Sequence, residues 1–288
     1  MILSKIFQKK KFKVYGFIEK KRKKKISKVK YNFNNLTSQK KIRNHLKIIK
    51  PNIIIHLASK NETYEKRKKE KNYKVNYLQN LKCTSNLLTS IIKVNFKTKL
   101  IFAGSSLMFK NSNKEVSEKT VLKSNDYYGN YKIEAHKMIM KMKKDKKIDA
   151  STAILFNHDS AFRNKKFLLP RLVKSFVNKD FKFIKDIYKL NINGDFSHAE
   201  DICNGIYKLS ITKKKIDVLI LSSGRKFYIN KIIRYLEKYF QFNIEKKNLD
   251  KNINHRIIGS NRLAKKLINY KSVKSPINAC KEILKNYL

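Results

Sequence analysis

The chain has 288 residues, 41% of them hydrophobic, which is enough for one large α/β domain or for one such domain with a smaller cap. Three widely spaced cysteines (Cys83, Cys203 and Cys280) exclude a disulfide framework and fit a reducing cytoplasm. No apolar run reaches about 18 residues, so the sequence predicts no membrane-spanning helix.

The formal net charge of +48 has two explanations. Binding of nucleic acid, an anionic membrane or an anionic small substrate is one of them. The other is lysine spread over solvated surface by nucleotide bias, since Lys, Asn and Ile have A/T-rich codons and crowd the chain, whereas Gly (7), Pro (3) and Trp (0) are scarce. Only residues 20–25 form a dense basic run, and no nucleic-acid motif accompanies it. We therefore favour solvated surface, with no nucleic-acid or membrane partner.

Short apolar runs alternate with longer amphipathic stretches along the first half of the chain. This alternation predicts an α/β fold with a doubly wound parallel sheet, whose ligands bind beyond the carboxyl ends of the strands. A continuous β-branched run at 52–57 predicts a strand buried on both faces. The predicted strands are 12–18, 52–57, 99–103 and 150–156, and the predicted helices are 38–49, 73–94 and 128–142.

The last hundred residues change character. They predict one further strand at 217–222 and helices at 229–239 and 275–287, which suits a smaller substrate-binding part. Because no Pro/Gly/Ser-rich linker and no internal repeat is present, we expect residues 1–160 to form the sheet domain and residues 161–288 to interleave with it.

The most informative spacing is Tyr128-Gly-Asn-Tyr-Lys132, which follows Ser105 at the end of a predicted strand. A Tyr and a Lys four residues apart share one helical face. A nearby ammonium favours the phenolate and lowers the pKa of the phenol from about 10 toward neutrality. With a Ser hydroxyl binding the same substrate oxygen, the trio predicts proton removal from a hydroxyl. The alternative is a solvated helix face, because a chain rich in Tyr and Lys produces this spacing by chance.

Several segments occur together in one order. They are His56–Ser59, Val75–Asn76, Ala103–Ser106, Tyr128 with Lys132, Ile154–Ser160 (ILFNHDS), Asp195–Asp201, Leu219–Gly224 and Ser260–Lys265. On these segments the chain resembles the extended short-chain dehydrogenases, the NAD-dependent epimerase/dehydratase family, and it is most similar to their GDP-mannose 4,6-dehydratase branch. The resemblance implies a Rossmann-like cofactor domain over residues 1–160 and a substrate-binding part over residues 161–288.

The resemblance also implies roles for individual residues. It implies NADP or NAD as cofactor, with NADP favoured, a GDP-mannose-like nucleotide sugar as substrate, and a cytoplasmic homodimer or homotetramer without a metal site. The catalytic residues would be Ser105, Tyr128 and Lys132; the cofactor-binding residues Leu57, Ala58, Ser59, Asn76, Tyr128 and Lys132; and the substrate-binding residues Asn157, Ser106, Arg163 and Arg225.

Plain structural alternatives stand beside these roles. Asn157 suits a turn after a strand, and His158 suits a bond to a loop carbonyl. His198 and Asp201 suit the start of a helix, as cap and first-turn residues, and we favour this role for Asp201. The basic candidates suit diphosphate binding, but each is a weak candidate among 69 basic residues.

The start of the chain departs from the family pattern. A dinucleotide fold opens with a strand, a glycine-rich turn and a helix whose N-terminus holds the pyrophosphate. Here the first glycine, Gly16, falls inside what corresponds to the second strand. We therefore expect the first strand and the glycine loop to be missing, through a misassigned start codon or a truncated gene. Glu19 would favour NAD and residues 20–22 would favour NADP.

A second departure concerns the elimination step. In a gapless match to the family, Leu107 takes the position of a Glu that removes a proton beside the new ketone and helps to expel the 6-hydroxyl as water. Leucine cannot transfer a proton, and Gly194 replaces a family Arg. C4 oxidation is thus expected, whereas the dehydration step is in doubt. A reductase, an epimerase and an inactive homologue acting as a non-enzymatic partner are the open alternatives.

Overall fold

The computed structural model describes residues 1–18, 27–33, 36–61, 71–112, 114–244 and 256–287. Helices and strands alternate along these ranges. The helices are α1 (Ile2–Lys9), α2 (Gln39–Ile49), α3 (Lys71–Val94), α4 (Tyr127–Lys144), α5 (Leu168–Val177), α6 (Phe181–Lys189), α7 (Ala199–Ile211), α8 (Asn230–Phe240), α9 (Arg262–Ile268) and α10 (Pro276–Leu284). The strands are β1 (Val14–Ile18), β2 (Val29–Phe33), β3 (Ile53–His56), β4 (Lys99–Ser105), β5 (Glu115–Val116), β6 (Asp149–Leu155), β7 (Asn157–Asp159), β8 (Asn193–His198), β9 (Val218–Leu221), β10 (Lys226–Tyr228) and β11 (Ile258–Gly259).

The α/β class predicted from the sequence is confirmed. Each predicted strand and helix matches an observed element of the same type, with ends that shift by a few residues. The pattern did not predict helices α5, α6, α7 and α9 or the short strands β2, β5, β7, β8, β10 and β11. None of the helices in the described ranges combines the length and apolar character needed to cross a bilayer.

Contacts divide the chain into two compact units, of which the first comprises residues 1–110, 121–154 and 203–219. Strands β1 and β2 pair in parallel, with Gly16 inside β1 opposite Tyr31. A separate four-stranded sheet has the order β3-β4-β6-β9, in which β3 and β4 are parallel. Within the described ranges, no strand pairs with both β1 and β3. The expectation of a missing first strand and glycine loop stays a prediction.

Strand β3 is less buried than its sequence predicts. The run of Ile53, Ile54 and Ile55 is half-buried, whereas the residues inside β4 are fully buried. Strand β3 stands at the end of the four-strand order and has β4 as its one neighbour there. The β-branched run at 52–57 therefore predicted a strand correctly, but it did not predict that this strand stands at the end of the sheet order.

The core of the first unit forms where α2, α3 and α4 pack with β4. Ile42 and Leu46 give α2 an apolar face at helical spacing, and Leu88 and Ile91 do the same for α3. Tyr131, on α4, is also fully buried in this cluster. Tyr131 thereby packs the beginning of α4 against this core.

The second unit comprises residues 111–120, 155–202 and 220–288. It contains a three-stranded sheet of order β10-β8-β7, in which β7 is parallel and β10 antiparallel to β8, and the parallel pair β11-β5. Helices α5, α6, α8 and α10 enclose its core around Phe176, Ile184 and Leu236. The register of β7 with β8 brings the FNHDS segment beside the DFSHAED segment, with Asp159 opposite His198.

Asp195 ties three backbone segments of the second unit together. Its side chain is fully buried and accepts hydrogen bonds from the backbone N–H groups of Ser223 (2.8 Å), Gly224 (2.9 Å) and Gly259 (3.4 Å). Gly224 has a φ of +68°, a conformation that glycine adopts without strain. Burial raises the pKa of Asp195 to about 6, against the opposing effect of these hydrogen bonds.

Replacing Asp195 tests this account of the second unit. We expect Asp195→Ala to lower the free energy of unfolding by about 3 kcal/mol, because it leaves buried N–H groups without an acceptor. Urea denaturation followed by circular dichroism measures the change. Asp186→Ala, at an exposed position on α6, is the matched control and should change little. Equal effects of the two substitutions would contradict the account.

Candidate active site

Ser59 and Tyr128 meet at the carboxyl end of β3. The strand ends at His56, and the chain continues through Leu57 and Ala58 to Ser59. The Ser59 hydroxyl oxygen lies 3.2 Å from the Tyr128 hydroxyl oxygen, and either group can be the donor. Both residues are half-buried.

The start of α4 fixes the position of Tyr128. Asp126 is the N-cap, and its carboxylate accepts the backbone N–H of Gly129 at 3.0 Å, which satisfies a donor at the helix end. A Cβ atom at Gly129 would overlap the Leu107 carbonyl oxygen and the Ser124 hydroxyl. Glycine therefore lets the first turn of α4 approach the segment that follows β4.

Lys132 is buried directly behind Tyr128. Its side chain is 1% exposed, and its Nζ donates a hydrogen bond of 2.6 Å to the carbonyl oxygen of Ala103 on β4. The same ammonium lies 5.3 Å from the centre of the Tyr128 ring, 5.0 Å from the Tyr131 ring and 4.7 Å from the Phe102 ring. The predicted Tyr/Lys pair thus shares one face of α4 and packs onto the end of β4.

Burial changes the protonation of Lys132 and of its neighbour His56. Desolvation lowers the pKa of Lys132 to about 7. Burial, followed by the nearby charge of Lys132, lowers the pKa of His56 to about 3. The neutral imidazole contacts the Thr84 hydroxyl at 3.0 Å, and Thr84 in turn lies 3.3 Å from the Tyr131 hydroxyl. Lys132 is therefore surrounded by aromatic rings and neutral polar groups.

Ser105 ends β4, as predicted, but its side-chain oxygen is engaged locally. It accepts the backbone N–H of Leu107 at 3.2 Å and caps the 3₁₀ turn of Ser106–Met108. Ser105, Ser106 and Leu107 are all half-buried. Residues on either side of Ser105 contact α4. The Ala103 carbonyl accepts a hydrogen bond from Lys132, and the Leu107 carbonyl lies against Gly129. The Ser105 hydroxyl hydrogen remains available to an oxygen of a bound molecule.

The residues predicted to hold the cofactor lie at two places in the first unit. Leu57 (49% exposed), Ala58 (exposed) and Ser59 (half-buried) follow β3. Asn76 is half-buried near the beginning of α3. Leu57 and Ala58 give the end of β3 an open, mostly apolar surface beside the Tyr128 hydroxyl.

Sequence reasoning missed Asn80, which fixes the segment after β3. Its side-chain oxygen accepts the backbone N–H of Lys60 at 2.8 Å, and its Nδ2 donates to the Lys60 carbonyl at 2.9 Å. Asn80 lies one helical turn after Asn76 on α3, and an Asn in a long helix has no local signal for such a bond. It was also not predictable that Ser59, rather than Ser105, would touch Tyr128.

The candidate substrate residues of the second unit have defined surroundings. Asn157 opens β7, and its Nδ2 donates to the Asp195 carbonyl at 3.4 Å. Arg163 stacks on Phe167 at 3.7 Å from its ring centre, and its Nε lies 3.5 Å from Asp159 Oδ1. Exposed Arg225 donates to the Ser272 carbonyl at 3.2 Å. Their binding roles stay predictions.

Two structural alternatives from the sequence have matching contacts. His158 Nδ1 bonds the Phe156 carbonyl at 2.7 Å, and burial lowers the pKa of His158 to about 4. Asp201 lies in the first turn of α7 and accepts the backbone N–H groups of Val273 and Lys274, each at 2.8 Å. Asp201 thus has a structural role in joining α7 to the segment before α10.

Two features discussed from the sequence fall outside the described residues. Glu19 and the basic run at 20–25 lie outside those ranges. In the part of the chain that the structure describes, no group of three or more His, Cys, Asp or Glu side chains could hold a metal ion.

The surroundings of Tyr128 fit one end of a dinucleotide better than the other. An exposed strand end, two hydroxyl groups and a buried amine offer apolar contact and hydrogen bonds to a nicotinamide riboside. For the pyrophosphate, a glycine-rich turn between a strand and a helix is the usual cradle. The described residues of the first unit contain no such turn. The described residues around Tyr128 therefore fit the nicotinamide end of a dinucleotide.

The chain is similar to a family of known description and to solved structures. A family model described as GDP-mannose 4,6 dehydratase matches residues 3–274. No curated protein sequence matches the chain. The UDP-glucose 4-epimerase of Brucella ovis in complex with NAD has 13% identity and a TM-score of 0.85, and the match covers 99% of this chain and 94% of that one.

Two further structures have the same fold. RMD from Pseudomonas aeruginosa, complexed with NADPH, has 16% identity and a TM-score of 0.76, with 90% of each chain covered. The UDP-glucose 4-epimerase of Thermotoga maritima with UDP-glucose has 13% identity and a TM-score of 0.82, with 100% of this chain and 95% of that one covered. These similarities confirm the predicted fold.

The buried state of Lys132 predicts a pH-dependent stability. The folded pKa of about 7 lies below the value in an unfolded chain, so the unfolded state binds more protons between pH 7 and 10. This residue should therefore add stability as the pH rises through that range. Relative to the Lys132→Met variant, we expect the wild type to gain about 4 kcal/mol in free energy of unfolding from pH 7 to pH 10.

Denaturation in urea at several pH values measures this difference. Lys137→Met on the same helix also removes a positive charge, but from an exposed side chain paired with Glu134. Its stability relative to wild type should change little over the same range. A flat difference for Lys132→Met would show that the amine is solvated.

The close approach at Gly129 gives a second prediction for this site. Gly129→Ala should destabilise the protein by about 2 kcal/mol or more, because the added methyl group overlaps the Leu107 carbonyl oxygen and must displace α4 from the Ser106–Met108 turn. Thermal unfolding monitored by circular dichroism measures the loss. Asn130→Ala, at the exposed next position, serves as the control. A gain in stability from the better helix former at position 129 would refute the close approach.

Proposed function

This chain belongs to the GDP-mannose 4,6 dehydratase family, and on that basis we propose that it catalyses the NAD(P)-dependent oxidation of a nucleotide sugar at C4 of its hexose. The observation that carries this proposal is the Tyr128–Lys132 pair at the carboxyl end of the sheet. A buried amine lies 5.3 Å from the centre of the Tyr128 ring, while the Tyr128 residue itself is half-buried rather than enclosed in the core. This arrangement suits a base that must act on an incoming hydroxyl group.

Each of the three residues has a distinct part in the proposed reaction. Tyr128, as the phenolate, takes the proton from the 4-hydroxyl of the sugar. The Lys132 ammonium favours the phenolate through its charge at short range. Ser105, whose oxygen already accepts the Leu107 N–H, donates its own hydrogen to the substrate oxygen and orients it. A bound NADP or NAD would supply the hydride acceptor for this oxidation.

The cofactor would lie along the open end of β3. Leu57 and Ala58 would contact the nicotinamide end, and Ser59, Asn76, Tyr128 and Lys132 would supply polar groups around it. We retain NADP as the preferred form, a preference that rests on resemblance to the family.

Elimination of water after the oxidation lacks its usual proton-transfer group. Leu107 lies within the 3₁₀ turn that Ser105 caps, and its side chain carries no proton to exchange. We therefore propose that the chain forms a 4-keto sugar and returns it by reduction or epimerisation more readily than it dehydrates it. GDP-mannose and UDP-linked hexoses are the substrates to test.

Substrate binding and assembly complete the proposal. Ser106 would bind the sugar, and Asn157, Arg163 and Arg225 would bind the nucleotide diphosphate. The three cysteines are widely spaced and are not joined by disulfides, and we propose a cytoplasmic enzyme, active as a homodimer or homotetramer.

Replacing Tyr128 is the direct test. The wild type, supplied with NADP⁺ or NAD⁺ and with GDP-mannose, UDP-glucose or UDP-glucuronic acid, should convert at least one of these sugars. Mass spectrometry distinguishes a dehydrated product, lighter by one water, from an epimer of unchanged mass. Tyr128→Phe should lower kcat by about 100-fold or more, because phenylalanine cannot accept the proton.

The adjacent tyrosine is the matched control. Tyr127 is exposed and stacks on Tyr73, with a ring-centre distance of 6.0 Å that phenylalanine can preserve, so Tyr127→Phe should retain activity. A wild type that converts none of these sugars with either cofactor would contradict the proposal and favour an inactive homologue. Equal activity of Tyr128→Phe and wild type would remove Tyr128 from the mechanism.

A further inference from the structure

Ser59 makes a contact with Tyr128 that its proposed place beside the cofactor does not explain. Its hydroxyl oxygen is 3.2 Å from the Tyr128 oxygen, within hydrogen-bonding distance. The Ser105 oxygen, by contrast, accepts a backbone N–H within its own turn. Two serines therefore flank the candidate site, and the direct contact with the tyrosine is made by the one that follows β3.

The position of Ser59 is fixed by α3. Asn80 binds both the N–H and the carbonyl of Lys60, the next residue, at 2.8 and 2.9 Å, and Asn80 is itself buried. A side-chain amide that satisfies both backbone groups of one residue restrains that residue strongly. The Ser59 hydroxyl thus points at Tyr128 from a segment anchored on two sides, by β3 and by Asn80.

The protonation state of Tyr128 determines which of the two hydroxyl groups donates the hydrogen bond. A neutral phenol can donate to Ser59 or accept from it, whereas a phenolate can only accept. When Tyr128 is ionised, Ser59 must therefore turn its hydrogen toward the phenolate oxygen, and a hydrogen bond to a charged acceptor is roughly twice as strong as one between neutral groups. The contact consequently favours the state of Tyr128 that can remove a proton.

We propose that Ser59 is a positioning residue for the reaction proposed above, which holds the Tyr128 oxygen at the end of β3 and donates a hydrogen bond to it in the ionised state. Ser59 then binds Tyr128, and the Ser105 hydroxyl remains available to bind the substrate. In the transfer itself, the O–H bond of the sugar breaks and a new O–H bond forms on Tyr128. Ser59 keeps its own proton throughout and turns its hydroxyl to accept from the newly formed phenol.

Other ionisable groups surround Tyr128 and must be held constant in any test. Lys132 and Tyr131 lie beside it on α4, with Tyr131 at a ring-centre distance of 6.0 Å. His56 on β3 interacts with Lys132, and Cys83 on α3 interacts with Tyr131. Tyr77 on α3 packs on the same core. A substitution at Ser59 leaves all of these side chains in place.

The test measures the ionisation of Tyr128 directly, without substrate or cofactor. Protein labelled with ¹³Cζ-tyrosine is titrated by NMR, and the Tyr128 signal is identified by its loss in Tyr128→Phe. Ser59→Ala should move the midpoint of this titration upward by about one pH unit, because the phenolate loses a donor. Ser59→Thr, which keeps the hydroxyl, should restore it. Lys60→Ala, an exposed side chain in the same segment that bonds Gln79, should leave it unchanged.

Activity assays separate this inference from the proposed function. If the wild type converts a nucleotide sugar, Ser59→Ala should lower kcat several-fold with little change in KM, and the acid limb of its pH profile should move to higher pH. An upward-shifted titration in a protein without turnover would support the role of Ser59 and overturn the proposed reaction. An unchanged Tyr128 midpoint in Ser59→Ala would overturn the inference even if the melting temperature fell.

Discussion

The burial of the Lys132 amine is the constraint on which the candidate active site depends. An ammonium group loses much of its hydration in this position and recovers one backbone carbonyl and the faces of three aromatic rings. Desolvation brings its pKa to about 7, so its charge responds to small changes nearby. A buried amine with a lowered pKa beside a half-buried tyrosine is a candidate functional site.

The surrounding structure keeps this amine in place. Gly129 allows α4 to lie against the turn after β4, Asp126 caps the helix, and Asn80 holds the end of β3 against α3. A negative charge on Tyr128 would favour the charged form of Lys132, and a charged Lys132 would favour the phenolate of Tyr128. Ser59 adds a neutral hydroxyl to that pair. The chemistry we propose therefore depends on packing as much as on the presence of the three predicted residue types.

The sequence predicted the long, periodic elements well and the short, polar ones poorly. The length and apolar spacing of helix α3, and the short apolar run of strand β4 between longer amphipathic stretches, predicted these elements correctly. Strands β7 (NHD) and β8 (NGDFSH) contain mostly polar residues, and they become strands because they pair with each other and bury Asp195 and His198. The half-buried state of β3 was likewise set by its place in the sheet, which no local pattern records.

The candidate site was predictable in its residue types and not in its contacts. The spacing of Tyr128 and Lys132 identified the pair because i and i+4 positions share a helix face. The partners of that pair, Ala103, Ser59 and the Thr84–His56 network, come from distant segments and depend on the tertiary fold. The serine at the end of β4 was found by pattern, whereas the serine that touches the tyrosine required the structure.

The most direct measurement of the central claim is the ionisation of the Lys132 amine itself. In protein labelled with ¹³Cε-lysine, the signal that disappears in Lys132→Met reports this one group. We predict that the Lys132 signal titrates with a midpoint near pH 7, in agreement with its pKa of about 7. A midpoint near 10, the ordinary value for a solvated lysine, would contradict the account.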